Sequence, residues 1–340
     1  MQQGTRYDRQ VAIWLLCVCV AIFIMLVIGG TTRLTHSGLS MMTWDPLMGW
    51  IPPLSEAAWL DSFEHYKKIP EFYELNPNMD LEGYKGIFLL EYVHRVWGRM
   101  IGLLFLLPFL FLAVSGRIKR SMTPKLLMMF LLGGLQGVMG WYMVSSGFDN
   151  PHVSQYRLTA HLSAAFIIYG YILWVAMGLI FEKNDVYDAV PLRRMAWAVT
   201  GLIAVTIVAG GFVAGLKAGF TYNTFPLMEG RFIPEGYGML QPFYRNFLDN
   251  IAAVQFDHRL LAEMLLLSVV GLWWYSRRFS VSSRSRLALN LLLAMAGVQV
   301  SLGIATLVLA VPVWLGVSHQ AGAMLLFSFA LLTNHSLRRG

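Results

Sequence analysis

The chain has 340 residues, 56% of them hydrophobic and only 13% charged, with a formal net charge of +7. So little charge excludes an ordinary soluble domain and points to a polytopic membrane protein. The basic excess clusters in alternate loops, which reads as orientation bias and not as nucleic-acid binding.

The chain is read as eight apolar runs long enough to cross a bilayer, each of roughly 20 residues or more. The first, about 11–30, is too long for a removed signal peptide and lacks a small-residue cleavage site, so it reads as an anchor. It contains both cysteines, Cys17 and Cys19. Two residues apart on a helix, they face different ways, which argues against a disulfide framework or a cysteine metal site. The loop 31–86 follows, with eight acidic residues against four basic ones. The remaining runs are about 87–114, 125–146, 157–181, 195–216, 254–275, 287–311 and 313–334, the last two joined by a tight turn at Pro312.

Arg6 and Arg9 precede the first run. Arg117, Lys119, Arg120 and Lys125 follow the second; Lys183, Arg193 and Arg194 the fourth; Arg277, Arg278, Arg284 and Arg286 the sixth; and Arg338 and Arg339 the eighth. These fall on one side, which the positive-inside rule makes cytoplasmic, with both termini. The acidic loop 31–86 then lies outside.

Two halves of the chain repeat each other. Gly30 and Gly38 match Gly211 and Gly219, Pro46-Leu47-Met48 matches Pro226-Leu227-Met228, and Gly134-Leu135-Gln136 matches Gly297-Val298-Gln299. His94 pairs with His258 and His161 with His319. Four spans per half keep both halves in the same orientation. The expected fold is therefore all-α, with eight transmembrane helices as two parallel-repeat four-helix bundles, residues 1–182 and 183–340. Gly133, Gly134, Gly137 and Gly140 suit close helix packing.

Histidine is costly inside a bilayer without a partner. A single one reads most simply as a hydrogen-bonding core residue. Four at repeat-related places and one depth read instead as two pairs of imidazole ligands, each pair holding a haem iron between helices of one bundle. His36, His65, His152 and His335 have no repeat partner and read as surface residues. Arg95 and Arg259 each follow a histidine, and read equally as bidentate partners of haem propionates or as snorkelling interfacial residues. Trp97, Trp141, Tyr142, Trp273 and Trp274 read as an interfacial belt. Glu91, three residues before His94, breaks the symmetry, because its counterpart is Gln255. One half then does chemistry while the other carries electrons or supports structure; the plainer reading of Glu91 is a solvated carboxylate at a helix start.

The stretches TRLTHSGLSMMTW at 32–44, EYVHRVWGRMIGL at 91–103, GLQGVMGWYMVSSG at 134–147 and VSQYRLTAHL at 153–162 resemble the haem A synthase family. So do AGFTYNTFPLMEGRFIP at 218–234, QFDHRLL at 255–261, QVSLGIATL at 299–307 and SHQAG at 318–322. The wording is similar to the alphaproteobacterial and mitochondrial branch. The chain begins at its first span without a transit extension, so a bacterial inner membrane is the expected location.

The resemblance implies an oxidoreductase that converts a methyl group of haem O to a formyl group through hydroxylated intermediates, giving haem A. It implies haem b as cofactor in the C-terminal half, on His258 and His319, and the substrate haem in the N-terminal half, on His94 and His161. Glu91 matches the acidic residue that the family places near the reacting methyl. The outer-loop cysteine pair of one branch of the family is missing here, so no thiol-linked redox role carries over. Haem O, haem A and membrane lipid are the implied partners, with haem O synthase, oxidase-assembly proteins and an electron partner as candidates. Two other classes remain. A bis-haem b-type electron-transfer subunit would leave haem chemically unchanged. A repeat-built transporter without haem would break its helices near the midplane, whereas here the polar landmarks crowd the outer ends.

Overall fold

The structure, a computed structural model, describes residues 2–42, 49–145, 153–181 and 190–338, with side chains from residue 7. Pro46-Leu47-Met48, His152, Lys183, Arg339, the Arg6 side chain and the ends of the first and third motifs lie outside the described residues.

Among those residues the protein is all-helical, with eight helices long and apolar enough to cross a membrane. They are α1 (Gln2–Leu34), α4 (Leu81–Val114), α5 (Thr123–Ser145), α6 (Gln155–Ile180), α7 (Val190–Gly215), α9 (Ile251–Tyr275), α10 (Ser283–Val308) and α11 (Val313–Ser336). Three short helices lie between them: α2 (Glu56–Tyr66), α3 (Pro70–Leu75) and α8 (Asn246–Asp249). All eight expected spans are present, with shifted ends. Helix α4 starts at Leu81, not near 87, because Asp80 caps it by accepting from the Gly83 N–H at 2.8 Å. The polar turn carrying Glu82 and Lys85 therefore stays helical beyond the apolar run. Helix α10 stops at Val308, before the expected 311, because Ala310 and Val311 both take left-handed φ (56° and 57°). That reversal, closed by the Val311 N–H to Thr306 carbonyl bond at 2.8 Å, lets Pro312 start α11.

By its internal contacts the chain divides into two compact units, 20–165 and 1–19 with 166–340. The divisions fall inside α1 and α6. In the second unit α7, α9, α10 and α11 close a ring, each packed on two of the others. Its core is aliphatic: Leu192, Val199, Ile203, Leu265, Val269, Leu272, Leu289, Leu292, Leu326 and Leu331 are all buried. Lipid tails are as apolar as leucine, so close packing and interhelical hydrogen bonds must hold such a bundle. Asn334 supplies one such bond, donating to the Thr200 hydroxyl at 2.6 Å across to α7.

In the first unit the acidic loop is not structureless. Trp59, Phe63 and Tyr66 on α2 pack with Phe72, Tyr84 and Phe88 as one aromatic cluster. Asn76 donates to the Tyr66 hydroxyl at 2.8 Å, and Tyr66 to Glu71 at 3.1 Å. The cluster clamps the start of α4, the helix that carries Glu91 and His94. Helix α5 packs lightly, with Leu126 and Met129 as its buried residues. The glycine expectation is corrected here: a Cβ at Gly133, Gly134 or Gly137 would meet nothing within 4 Å. Of the four, only Gly140 lies against a neighbour among the described residues.

Candidate functional site: two matched histidine sites

Each predicted histidine faces a glycine on the neighbouring helix. In the second unit, a Cβ on Gly210 of α7 would come within 3.1 Å of His258 Cε1, and one on Gly303 of α10 within 2.9 Å of His319 Cε1. In the first unit a Cβ on Gly29 of α1 would come within 3.3 Å of His94 Cε1, and one on Gly140 of α5 within 3.3 Å of His161 Cε1. The absence of a side chain lets each imidazole approach its neighbour's backbone closely. These glycines were legible: Gly29 and Gly210 sit one residue before the matched Gly30 and Gly211, and Gly140 and Gly303 four residues after the matched glutamines.

Those glutamines also have one role in both units. Gln136 donates to the His161 carbonyl at 2.9 Å, and Gln299 to the His319 carbonyl at 2.9 Å. Gln299 Nε2 also lies 3.2 Å from His319 Nδ1. The bond orients each second histidine from its own backbone and ties α5 to α6, and α10 to α11.

The His258 and His319 rings stand 6.4 Å apart between centroids with their planes at 89°. A metal–imidazole bond is about 2 Å long and the centroid lies about 1 Å further back, so two axial imidazoles on one metal put their centroids about 6 Å apart. The pair therefore fits bis-imidazole ligation. Gln255 Oε1, Gln299 Oε1 and Arg259 Nε nearby are buried without a hydrogen-bond partner among the described residues, a concentration of polar atoms suited to a polar ligand. In the first unit His94 and His161 are close enough to interact electrostatically, and His161 Nδ1 and Gln136 Oε1 are likewise buried without a partner.

The asymmetric position is the most informative. Glu91 is 3% exposed, so the reading of a solvated carboxylate is set aside. Its Oε2 accepts from the Ser40 hydroxyl at 2.7 Å and the Met41 N–H at 2.8 Å. Its Oε1 accepts from Arg95, through Nε at 3.0 Å and through Nη2. Arg95 Nη2 also donates to the Met41 carbonyl at 2.8 Å. The second unit repeats this frame without the carboxylate: Arg259 Nη2 donates to the Tyr222 carbonyl at 2.6 Å, and Nη1 to the Thr224 carbonyl at 2.8 Å. Gln255 donates to the same Tyr222 carbonyl at 3.3 Å. Arg95 thus hydrogen-bonds a carboxylate where Arg259 hydrogen-bonds backbone carbonyls, with the Glu263 carboxylate acting on it electrostatically. Beside His258, Asp257 accepts from Tyr237 at 2.9 Å, and burial together with that bond pushes the Tyr237 phenol up to about 12.

Among the belt residues, Trp97 donates to the Ala21 carbonyl at 2.9 Å and Trp273 to Asn290 at 2.8 Å, while Trp141, Tyr142 and Trp274 are exposed. His65 is exposed, on α2 and not in a loop. His335 corrects its expectation: it is 2% exposed, inside α11. A polar tail sequence reads as surface, but here the helix end is packed over.

The family model described as COX15-CtaA, cytochrome oxidase assembly protein, matches residues 12–331. A relative from Nitrosomonas eutropha named "Heme A synthase" is 50% identical over 96% of this chain and 93% of its own. One of the same name from Nitrosospira multiformis is 50% identical over 98% and 94%. A plant relative from Arabidopsis thaliana, "Heme A synthase COX15", is 41% identical over 99% of this chain and 76% of its own.

Proposed function

The chain belongs to the COX15-CtaA family of cytochrome oxidase assembly proteins, and on that premise we propose that it is an oxidoreductase converting haem O to haem A. One methyl group of the porphyrin is oxidised to a formyl group through hydroxylated intermediates. The observation that carries the division of labour is Glu91 opposite Gln255 in two otherwise matched histidine sites.

In this reading residues 183–340 form the cofactor half, with haem b between His258 and His319. The 6.4 Å ring separation supports that assignment. Arg259, held by carbonyls with Nε buried and unpartnered, is the better propionate partner of the two arginines. Residues 1–182 form the substrate half, with His94 and His161 positioning the substrate's iron. Haem iron supplies the redox chemistry that side chains lack. Glu91 supplies a fixed negative charge where positive charge develops on the methyl carbon, or a base for the oxygen that enters. Ser40, the Met41 N–H and Arg95 hold that carboxylate in one orientation, so little reorganisation accompanies reaction.

The Arg and Lys bias of alternate loops supports a bacterial inner-membrane location with both termini cytoplasmic. Haem O synthase, oxidase-assembly proteins and an electron partner are the protein contacts this chemistry calls for. The test is pigment extraction: a strain without its own activity, given haem O and this chain, should accumulate haem A. A purified protein with low-spin haem but unchanged haem O in the cells would favour an electron carrier instead.

A further inference from the structure

The two units hold their second histidines alike but not equally. In the first, Gln136 donates to the His161 carbonyl at 2.9 Å, and His161 Nδ1 is buried with no hydrogen-bond partner among the described residues. In the second, Gln299 makes the same bond to the His319 carbonyl, and its Nε2 also stands 3.2 Å from His319 Nδ1. One amide therefore reaches both the backbone and the ring of His319.

Three residues after each histidine the halves differ again: Gly322 follows His319 where Ala164 follows His161. Gly322 is buried inside α11, and Gln299 fills the space in front of it. A Cβ on Gly322 would overlap Gln299 Oε1, and would come within 3.2 Å of Met295 Cε and 3.4 Å of Leu302 Cδ1. Met295, Gln299 and Leu302 are spaced four and three apart, so they share one face of α10. An added methyl would turn the amide away or push that face off α11. Glycine is a poorer helix former than alanine, so contact across the helix pair, and not the helix itself, accounts for its place here.

Gln299 and Gly303 lie about one turn apart on α10. Both meet the His319 ring, one at Nδ1 and the other under Cε1, so the ring is confined at two of its atoms. A hydrogen bond at the nitrogen that does not hold a metal fixes the orientation of an imidazole ligand and tunes the metal. The amide carries a donor and an acceptor, so it can meet either tautomer of the ring.

We propose that, given a resident haem on His258 and His319 as in the function proposed above, Gly322 is a positioning residue for His319. It acts through the room it leaves for the Gln299 amide. The difference between Gly322 and Ala164 then makes His319 a fixed ligand and His161 an adjustable one. A resident haem calls for a ligand that does not turn. A substrate haem must enter and leave, which a ring held only through its backbone permits. This is the division that Glu91 and Gln255 mark, reached from a different pair of residues.

The experiment uses the purified full chain with its haem, in detergent. Two quantities are read: the electron paramagnetic resonance signal of the ferric low-spin haem, which follows ligand orientation, and the rate of haem loss to excess apomyoglobin. Gly322→Ala displaces the amide, and Gln299→Ala removes it without adding bulk. Each should shift the signal and speed haem loss about tenfold or more. In the Gln299→Ala background Gly322→Ala has no amide to displace, so the double variant should match Gln299→Ala. Ala164→Gly should leave both readings at wild-type values. Additive effects of the two substitutions, an unshifted signal in Gln299→Ala, or haem loss from Ala164→Gly as fast as from Gly322→Ala would overturn the proposal. A haem unchanged in both His258→Ala and His319→Ala would refute the ligand assignment beneath it. A haem that depends on both histidines yet ignores Gly322 and Gln299 refutes the positioning role alone.

Discussion

Replacing Glu91 by glutamine makes the first histidine site chemically resemble the second. The carboxylate accepts four hydrogen bonds through two oxygens, from Ser40, Met41 and twice from Arg95. An amide keeps one oxygen. With its nitrogen in place of Oε2 it confronts the Met41 N–H, which cannot reverse; in place of Oε1 it confronts two Arg95 N–H groups. In either pose buried donors lose their acceptor. Removing one partner of a buried ion pair costs about 3–5 kcal/mol, so the first unit should be measurably less stable. If Glu91 also serves chemistry, losing an oriented charge should slow conversion about 10²–10³-fold. The two effects are separable. Haem A per molecule of folded protein, normalised to the absorbance of haem on His258 and His319, reports chemistry alone. Arg95→Gln is the control, because it breaks the same ion pair but keeps the carboxylate. Haem extracted from cells carrying each variant as the only copy, and separated into starting, alcohol and formyl forms, gives the answer. Glu91→Gln should accumulate haem O or a partly oxidised haem, while Arg95→Gln should retain more conversion per folded molecule. A wild-type yield of haem A from Glu91→Gln would refute the catalytic role and leave the paired sites standing.

His258→Ala or His319→Ala should remove or loosen the resident low-spin haem, and an unchanged spectrum in both would refute that assignment. Gly303→Ala should disturb the same spectrum, since the added methyl would lie 2.9 Å from His319 Cε1. Gly137→Ala meets nothing within 4 Å and should instead stabilise its helix by up to about 1 kcal/mol, read by thermal melting. Reporters fused at residues 75 and 340 should report opposite sides of the membrane, and agreement between them would overturn the orientation.

The eight helices were legible because a bilayer demands long apolar runs and the chain has few charges to hide them. The site was legible for a different reason. A repeat lets each unusual residue be checked against its twin, so His94 with His258 and Gln136 with Gln299 stood out from residues that merely fit a membrane. The same comparison exposed Glu91, whose partner had changed. What the sequence concealed lacked either a twin or an apolar signature. The aromatic cluster of Phe63, Tyr66 and Tyr84 joins α2 to the start of α4 and includes none of the matched pairs.

His335 lies in Thr-Asn-His-Ser, a polar run whose burial depends on α6 and α10 folding over it. A tertiary neighbour from 157 residues earlier in the chain, such as Gly178, leaves no local pattern to read. The glycine expectation on α5 failed from the opposite side. Small residues permit close approach but do not require it, and three of the four face open space. Gly140 is the one that a histidine actually meets, and only its repeat partner Gly303 distinguishes it. The repeat therefore singles out the paired residues better than composition does, and on the proposed reading the difference between Glu91 and Gln255 is the difference between reacting a haem and holding one.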